Sequence, residues 1–378
     1  MKKILVVTGT RADYGIYFPI MQAIEADSSL NLHLLVTGMH LSPQHGLSLE
    51  QIQKDGFKIS AKVPCLLHGS THANMSRGIG LAVMGMTQAM EELEPDGVIV
   101  LGDRGEMLAA AIVSTYMNIP LFHLHGGEVS GTIDESVRHA ISKLAHVHLA
   151  ATEGSKERLI KLGENDWRIH VVGAPRLETI EKTVLPKWED VAVQYGLPLL
   201  NEYILFVYHP VTTEEHDLLS LREMLDSLIA SEQEIVCIMP NSDAGADSIL
   251  EVYDSYSNER LHRVTNFEQL HYLAALKNCS VLVGNSSSGI IEAASFHVPV
   301  INIGTRQHGR ERSDNVVDIP VCAATLAKAL EQVFSDPFQQ KLKTVQNVYS
   351  QPETSTTIVN ILNNISYSQD LIQKTITY

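Results

Sequence analysis

The sequence is short of several things that would decide its class at once. It holds only 4 cysteines in 378 residues, and none of Cys65, Cys237, Cys279 and Cys322 pairs at CxxC spacing. Each sits in or beside an apolar run, so they read as reduced, buried thiols and not as disulfides or metal ligands. Basic residues are scarce too: 28 Lys and Arg stand against 44 Asp and Glu, a net charge of −16. That excludes a broad nucleic-acid surface, which needs basic excess. It leaves room for a small anion held by a few arginines and backbone N–H groups. No run of ~18 apolar residues occurs, so no membrane span is expected. The start, "MKKILVVTGT", has too short an apolar run for a signal peptide, and charged "RAD" follows at once. A cytoplasmic protein is expected.

What is present is ordinary globular composition, 44% hydrophobic and 19% charged, in a chain long enough for two domains. Short Val/Ile/Leu-rich runs alternate with segments of helical period. The first half offers "KKILVVTG", "NLHLLVTG", "GVIVLG", "PLFHLH", "VHLAAT" and "RIHVVG". The second offers "YILFVYHP", "EIVCIMP", "LHRVTN", "SVLVGN" and "PVINIG". These predict buried parallel strands, apolar without clean alternation. Helices are predicted over 81–93, 105–117, 134–145 and 268–277. The class is therefore α/β, two doubly wound Rossmann-like domains facing across a cleft. Boundaries are expected at 1–182 and 183–364, with a polar tail, 365–378, left unplaced. In such sheets ligands bind beyond the C-terminal strand ends. The chemically rich stretches fall there: "TGTRADYG", "TGMH", "LGDRGE", "HLHGGE", "YHP", "GNSSSG" and "GTRQHGRE".

"VLVGNSSSGIIEAASF" reads as strand, polar turn, helix. Ser286, Ser287 and Ser288 fall at the helix start, where free N–H groups and the dipole favour a phosphate. A plain serine N-cap would need only one of them. No GK[ST] follows, so this is not a P-loop. Glu292, a turn later, suits a ribose diol or a solvated helix face. Arg306, Arg310 and Arg312 in "GTRQHGRER" have the fork geometry that diphosphate oxygens accept, unless they serve a solvated loop. "GTRADYG" places Arg11 similarly and lacks GxGxxG, so no NAD is inferred.

In "LFHLHGGEVSGTIDE", His123 and His125 share one strand face, which permits zinc. "HVH" at 146–148 repeats the spacing. A site needs a third ligand, and no HExxH or CxxC supplies one, so a metal is not expected. Proton transfer fits better: Asp103 ends one strand, Asp134 begins a helix and His209 ends a strand of the second half. Asp134–Arg138 and Glu135–His139 are also i,i+4 pairs, which would make part of this charge helix surface.

With these motifs in this order, nearly the whole chain resembles the hydrolysing UDP-N-acetylglucosamine 2-epimerases, enzymes of glycosyltransferase-B-like fold. The resemblance rests on "TGTRADYG", "VTGMH", "LGDRGE", "HLHGGEVSGTIDESVRHAISKLAH", "YHPVTT", "GNSSSGIIEA" and "INIGTRQHGRE". It implies conversion of UDP-N-acetylglucosamine and water to N-acetylmannosamine and UDP, through elimination to 2-acetamidoglucal and then hydration, in sialic-acid synthesis. It implies no cofactor, no metal and a homodimer or homotetramer. Asp103 and Asp134 match family acid–base carboxylates, and His209 matches a histidine from the second domain. Arg11, Ser286, Ser287, Glu292 and Arg306 match contacts to UDP. His40, Arg104 and Glu128 match the sugar side. The chain departs from the pattern at His125, a glutamate in many relatives. A histidine there also occurs in hydrolysing enzymes for N-acetylglucosamine and for 2,4-diacetamido-trideoxy sugars, so the same chemistry on the latter is the alternative. A glycosyltransferase of the same fold is a third reading, and the paired proton shuttles speak against it.

Overall fold

The computed structural model describes residues 1–42, 49–67, 71–129, 133–211, 217–240 and 245–378. The chain divides into two compact units. The first comprises Met1–Glu128, Ile133–Thr179 and Gln351–Tyr378, and the second Val129–Thr132 and Ile180–Ser350.

The first unit is built on a parallel sheet: β1 (Lys2–Thr8), β2 (Leu30–Thr37), β3 (Ile59–Val63), β4 (Gly97–Leu101), β5 (Leu121–Leu124), β6 (Val147–Ala150) and β7 (Ile169–Val171). Its order is β3-β2-β1-β4-β5-β6-β7, so the chain changes direction across the sheet between β1 and β4. Side chains alternate between the faces. Ile4, Val6, Ile99 and Phe122 pack with helices Arg11–Ala26 and Thr354–Asn364. Leu5, Val7, Val98 and Val100 pack on the other face with helices His72–Leu93 and Gly105–Tyr116. Burial on both faces explains why these strands read as unbroken apolar runs.

The second unit repeats the plan with β8 (Ile204–Val207), β9 (Ile235–Ile238), β10 (Leu261–Val264), β11 (Val281–Gly284), β12 (Val300–Ile303) and β13 (Val316–Ile319), in the order β10-β9-β8-β11-β12-β13. Its switch lies between β8 and β11. Ile204, Phe206, Val281 and Val283 fill one core, and Leu205, Val207 and Leu282 the other.

Three features differ from expectation. The edge strands β3 and β13 were not predicted. "ISAKV" and "VVDI" each carry a charge, as edges exposed to water do, and so lack the apolar signature. The chain passes to the second unit after Thr179, not after residue 182. It also returns after Ser350, so the stretch up to 364 belongs to the first unit. Helix Thr354–Asn364 buries Ile358, Val359 and Leu362 in the first unit's core, and Glu178 caps it, accepting from the Ser355 N–H at 2.8 Å and Oγ at 2.7 Å. The tail is pinned there as well. The buried Arg168 guanidinium donates to the Leu371 carbonyl at 2.8 Å, and Lys374 Nζ lies 2.7 Å from Glu164. Among the described residues, no helix is long and apolar enough to cross a membrane.

Candidate active site

In the first unit, loops at the C-terminal ends of β1, β4 and β5 carry the chemistry. After β1, Thr10 caps helix Arg11–Ala26 in a capping box. Its side chain accepts from the Asp13 N–H, and Asp13 accepts from the Thr10 N–H at 3.1 Å. This box sets Arg11 at the first helical position. Burial raises the Asp13 pKa. After β4, Gly102 turns the chain at φ 72°, and Asp103 and Arg104 follow. Arg104 Nε lies 3.5 Å from Glu106 Oε2. Burial opposes its charge, but Glu106, Asp13, Asp103 and Asp134 together outweigh that and raise its pKa.

After β5 the backbone of His125 is left-handed, φ 59°, a conformation few residues other than glycine adopt. It is held from both sides: its N–H donates to the Leu149 carbonyl at 3.1 Å, and its carbonyl accepts from Arg138 Nη1 at 3.1 Å. Its ring Nδ1 lies 2.5 Å from Glu128 Oε1. Arg138 Nη1 lies 3.6 Å from the other Glu128 oxygen, and Nη2 pairs with Asp103 Oδ2. His125, Glu128 and Arg138 are all buried. His125 Nε2 is buried too and has no hydrogen-bond partner among the described residues. Gly127, φ 77°, lets the chain pass close to Ser155, whose carbonyl a Cβ would strike.

Several residues singled out in the sequence find their places here. Arg138 is not helix surface: it lies in the buried stripe Arg138, Ile141, Ser142, Ala145. Glu135 and His139 do form the expected pair, at 3.4 Å. His40 is fully buried, its Nε2 3.0 Å from Thr8 Oγ1, with burial pulling its pKa down to about 4. Its ring therefore presents no surface to a sugar. His123 is a core residue. Its Nε2 donates to the Gly102 carbonyl at 2.7 Å, its Nδ1 lies 3.2 Å from Ser142 Oγ, and burial lowers its pKa to about 3. The repeat at 146–148 is structural as well: His146 Nδ1 accepts from the Leu121 N–H, and His148 bonds to buried Glu164. Among the described residues no three His, Cys, Asp or Glu side chains gather as a metal-ligand set. Asp134 is exposed in the first turn of helix Ile133–Leu144. Ser130, Gly131 and Thr132 of this stretch, and Thr212 and Thr213 of "YHPVTT", lie outside the described residues.

In the second unit one residue organises the switch point. The buried Asn285 follows β11, and its amide clamps the backbone of His209, which follows β8. The His209 N–H donates to Asn285 Oδ1 at 2.7 Å, and Asn285 Nδ2 donates to the His209 carbonyl at 2.8 Å. The Asn285 carbonyl accepts from Arg306 Nη1 at 3.1 Å and Gln307 Nε2 at 2.9 Å. Gly284, φ 141°, lets β11 approach β8 closely, since a Cβ there would collide with the Val207 carbonyl. Burial, with the Arg306 charge adding, lowers the His209 pKa to about 3, so its imidazole is neutral. Ser286 caps the short helix Ser287–Ile291, and Ser288 Oγ turns to Ser286 and Tyr272. Glu292 is buried, not a solvated helix face.

Arg138 and Asn285 were missed from sequence. Arg138 had a signal: an arginine in the buried stripe of an amphipathic helix must find a carboxylate. Asn285 had none, because its role lies in backbone contacts 76 positions away.

Residues 22–363 match the family model described as UDP-N-acetylglucosamine 2-epimerase. A Legionella pneumophila protein described as UDP-N,N'-diacetylbacillosamine 2-epimerase (hydrolyzing) is 40% identical over 380 residues, covering 100% of each chain. A Neisseria meningitidis UDP-N-acetylglucosamine 2-epimerase is 36% identical, covering 89% of this chain and 88% of its own. An Escherichia coli polysialic acid biosynthesis protein is 32% identical, covering 98% and 96%. In fold, the chain is similar to the crystal structure of UDP-GlcNAc 2-epimerase from Neisseria meningitidis bound to UDP-GlcNAc. That TM-score is 0.80 at 18% identity, covering 96% of this chain and 100% of that one.

Proposed function

Because the chain belongs to the UDP-N-acetylglucosamine 2-epimerase family, we propose that it is a hydrolysing 2-epimerase, converting a UDP-2-acetamido sugar and water to the free 2-epimer and UDP. The observation that carries this reading is the gathering of Asp103, His125 and Glu128 around the buried Arg138. A base removes the C2 hydrogen as the C1–O bond to UDP breaks, leaving a C1=C2 double bond. Water then adds hydroxyl at C1 and a proton at C2 on the opposite face. Those steps need a base, an acid and a seat for the leaving diphosphate.

His125 is assigned the C2 base, through its buried, unpartnered Nε2. Asp103 and Asp134 are assigned the hydration step. His209, neutral at pH 7, is assigned to the substrate. Arg11, Ser286, Ser287 and Arg306 are assigned to the diphosphate, Glu292 to the ribose, and Arg104 to the sugar. His40, being enclosed, is assigned to holding the Thr8–Thr10 turn.

The relative that aligns over both full lengths at 40% identity favours UDP-N,N'-diacetylbacillosamine as substrate. The family description and the 36% relative favour UDP-N-acetylglucosamine as the second reading. The polysialic acid relative supports a place in sialic-acid-type sugar synthesis. Incubating pure protein with each UDP-sugar and identifying the free sugar by NMR separates the two. Release of no 2-epimer from either would sink the reading.

A further inference from the structure

The resemblance set Glu128 on the sugar side, and the geometry points to a different role. We propose that Glu128 is a positioning residue that acts through His125, fixing which ring nitrogen carries the proton, and that Arg138 holds this carboxylate and Asp103 in register. The inference rests on the functional reading above.

A carboxylate only accepts, so the nitrogen it meets must donate. Glu128 Oε1 meets His125 Nδ1 at 2.5 Å, which makes Nδ1 the nitrogen that donates. Nε2 then holds the lone pair. That atom is buried, and no described residue donates to it. A buried acceptor without a donor is costly, and such groups persist where function uses them. The same logic orients imidazole bases elsewhere: a buried carboxylate selects the tautomer and stabilises the imidazolium once the proton is taken.

Arg138 completes the device. Its fork reaches the His125 carbonyl, Glu128 and Asp103. One buried cation thus fixes the left-handed backbone of the base, the carboxylate behind it and the carboxylate of the opposing step. A histidine at position 125 takes up a proton through Nε2 only if that nitrogen is bare.

The test is ¹⁵N NMR of histidine-labelled full-length protein, with His125 assigned by its loss in His125→Gln. The wild type is expected to show Nδ1 protonated and Nε2 bare. Glu128→Gln, whose amide can donate, is expected to lose that preference. Its kcat should fall on the order of 10²-fold, the low end for a proton shuttle, with KM little changed. Glu128→Asp keeps the carboxylate and is expected to recover part of the rate. An Nε2–H tautomer in the wild type overturns the proposal. So does a Glu128→Gln variant whose KM rises while kcat holds, since that marks a direct sugar contact. If wild-type protein turns over no UDP-sugar, the functional reading fails while the tautomer result stands by itself.

Discussion

The two units share one architecture and gather different groups at the ends of its strands. After β4 and β5 of the first unit the polar groups are ionisable and crowded, with His125, Glu128 and Arg138 buried, and the one arginine ties them together. At the second unit's switch point the organiser is a neutral amide that grips backbone, and the histidine it holds stays uncharged. Arg138 keeps the carboxylates of Asp103 and Glu128 tolerable beside His125. Asn285, His209 and the Ser286 turn present fixed dipoles and one arginine, an arrangement suited to an anion that must be held and then released. The proposed division is therefore proton work in the first unit and diphosphate binding in the second.

The sharpest way to break that division is to remove the ionisable groups without changing their shape. Asp103→Asn and Asp134→Asn should each lower kcat by about 10²–10⁴-fold while leaving UDP affinity intact by calorimetry. A loss of UDP binding instead would show that the first unit also holds the diphosphate. The converse test is Arg306→Ala. It should weaken UDP binding by roughly 1.5–3 kcal/mol, the worth of a hydrogen bond to a charged group, and unchanged affinity would remove the second unit's role.

A smaller effect sharpens the comparison through stability. Burial holds His40 and His146 at about 4 and His123 at about 3 in the first unit, and lowers His148 as well. The second unit has His209 at about 3. These values lie below the ordinary histidine value of about 6.5, so the unfolded chain binds protons that the folded chain refuses. The associated stability is present above pH ~6.5 and is lost as pH falls towards the folded values, by about 1.4 kcal/mol per pH unit and group. Between pH 7 and 5.5 the first unit should lose more than the second. The chain's 2 tryptophans allow a check, since Trp167 lies in the first unit and Trp188 in the second. Urea melts of Trp188→Phe and Trp167→Phe at both pH values should show the larger acid loss in the former. Equal losses would contradict the burial argument.

Much of this was legible in the sequence because buried parallel strands advertise themselves. Central strands such as "KKILVVT" and "VLVG" are apolar on both faces, and glycine or serine marks their ends. Edge strands β3 and β13 were invisible for the same reason in reverse. The return of helix Thr354–Asn364 to the first unit was hidden because an apolar stripe reveals that a core is needed, not which one. At the candidate site, strand ends and motif order pointed to Asp103, His125 and Asp134, but not to His123 spending its ring on the core or to Arg138 joining two carboxylates. Those facts depend on partners far along the chain.

In the proposed reaction the C2 hydrogen is lost and regained. Turnover of the UDP-sugar in D₂O, followed by NMR and mass spectrometry of the released sugar, tests it directly. The account predicts one deuterium at C2 in every product molecule. A product that keeps its original C2 hydrogen would contradict the elimination–hydration scheme and the proton work assigned to the first unit.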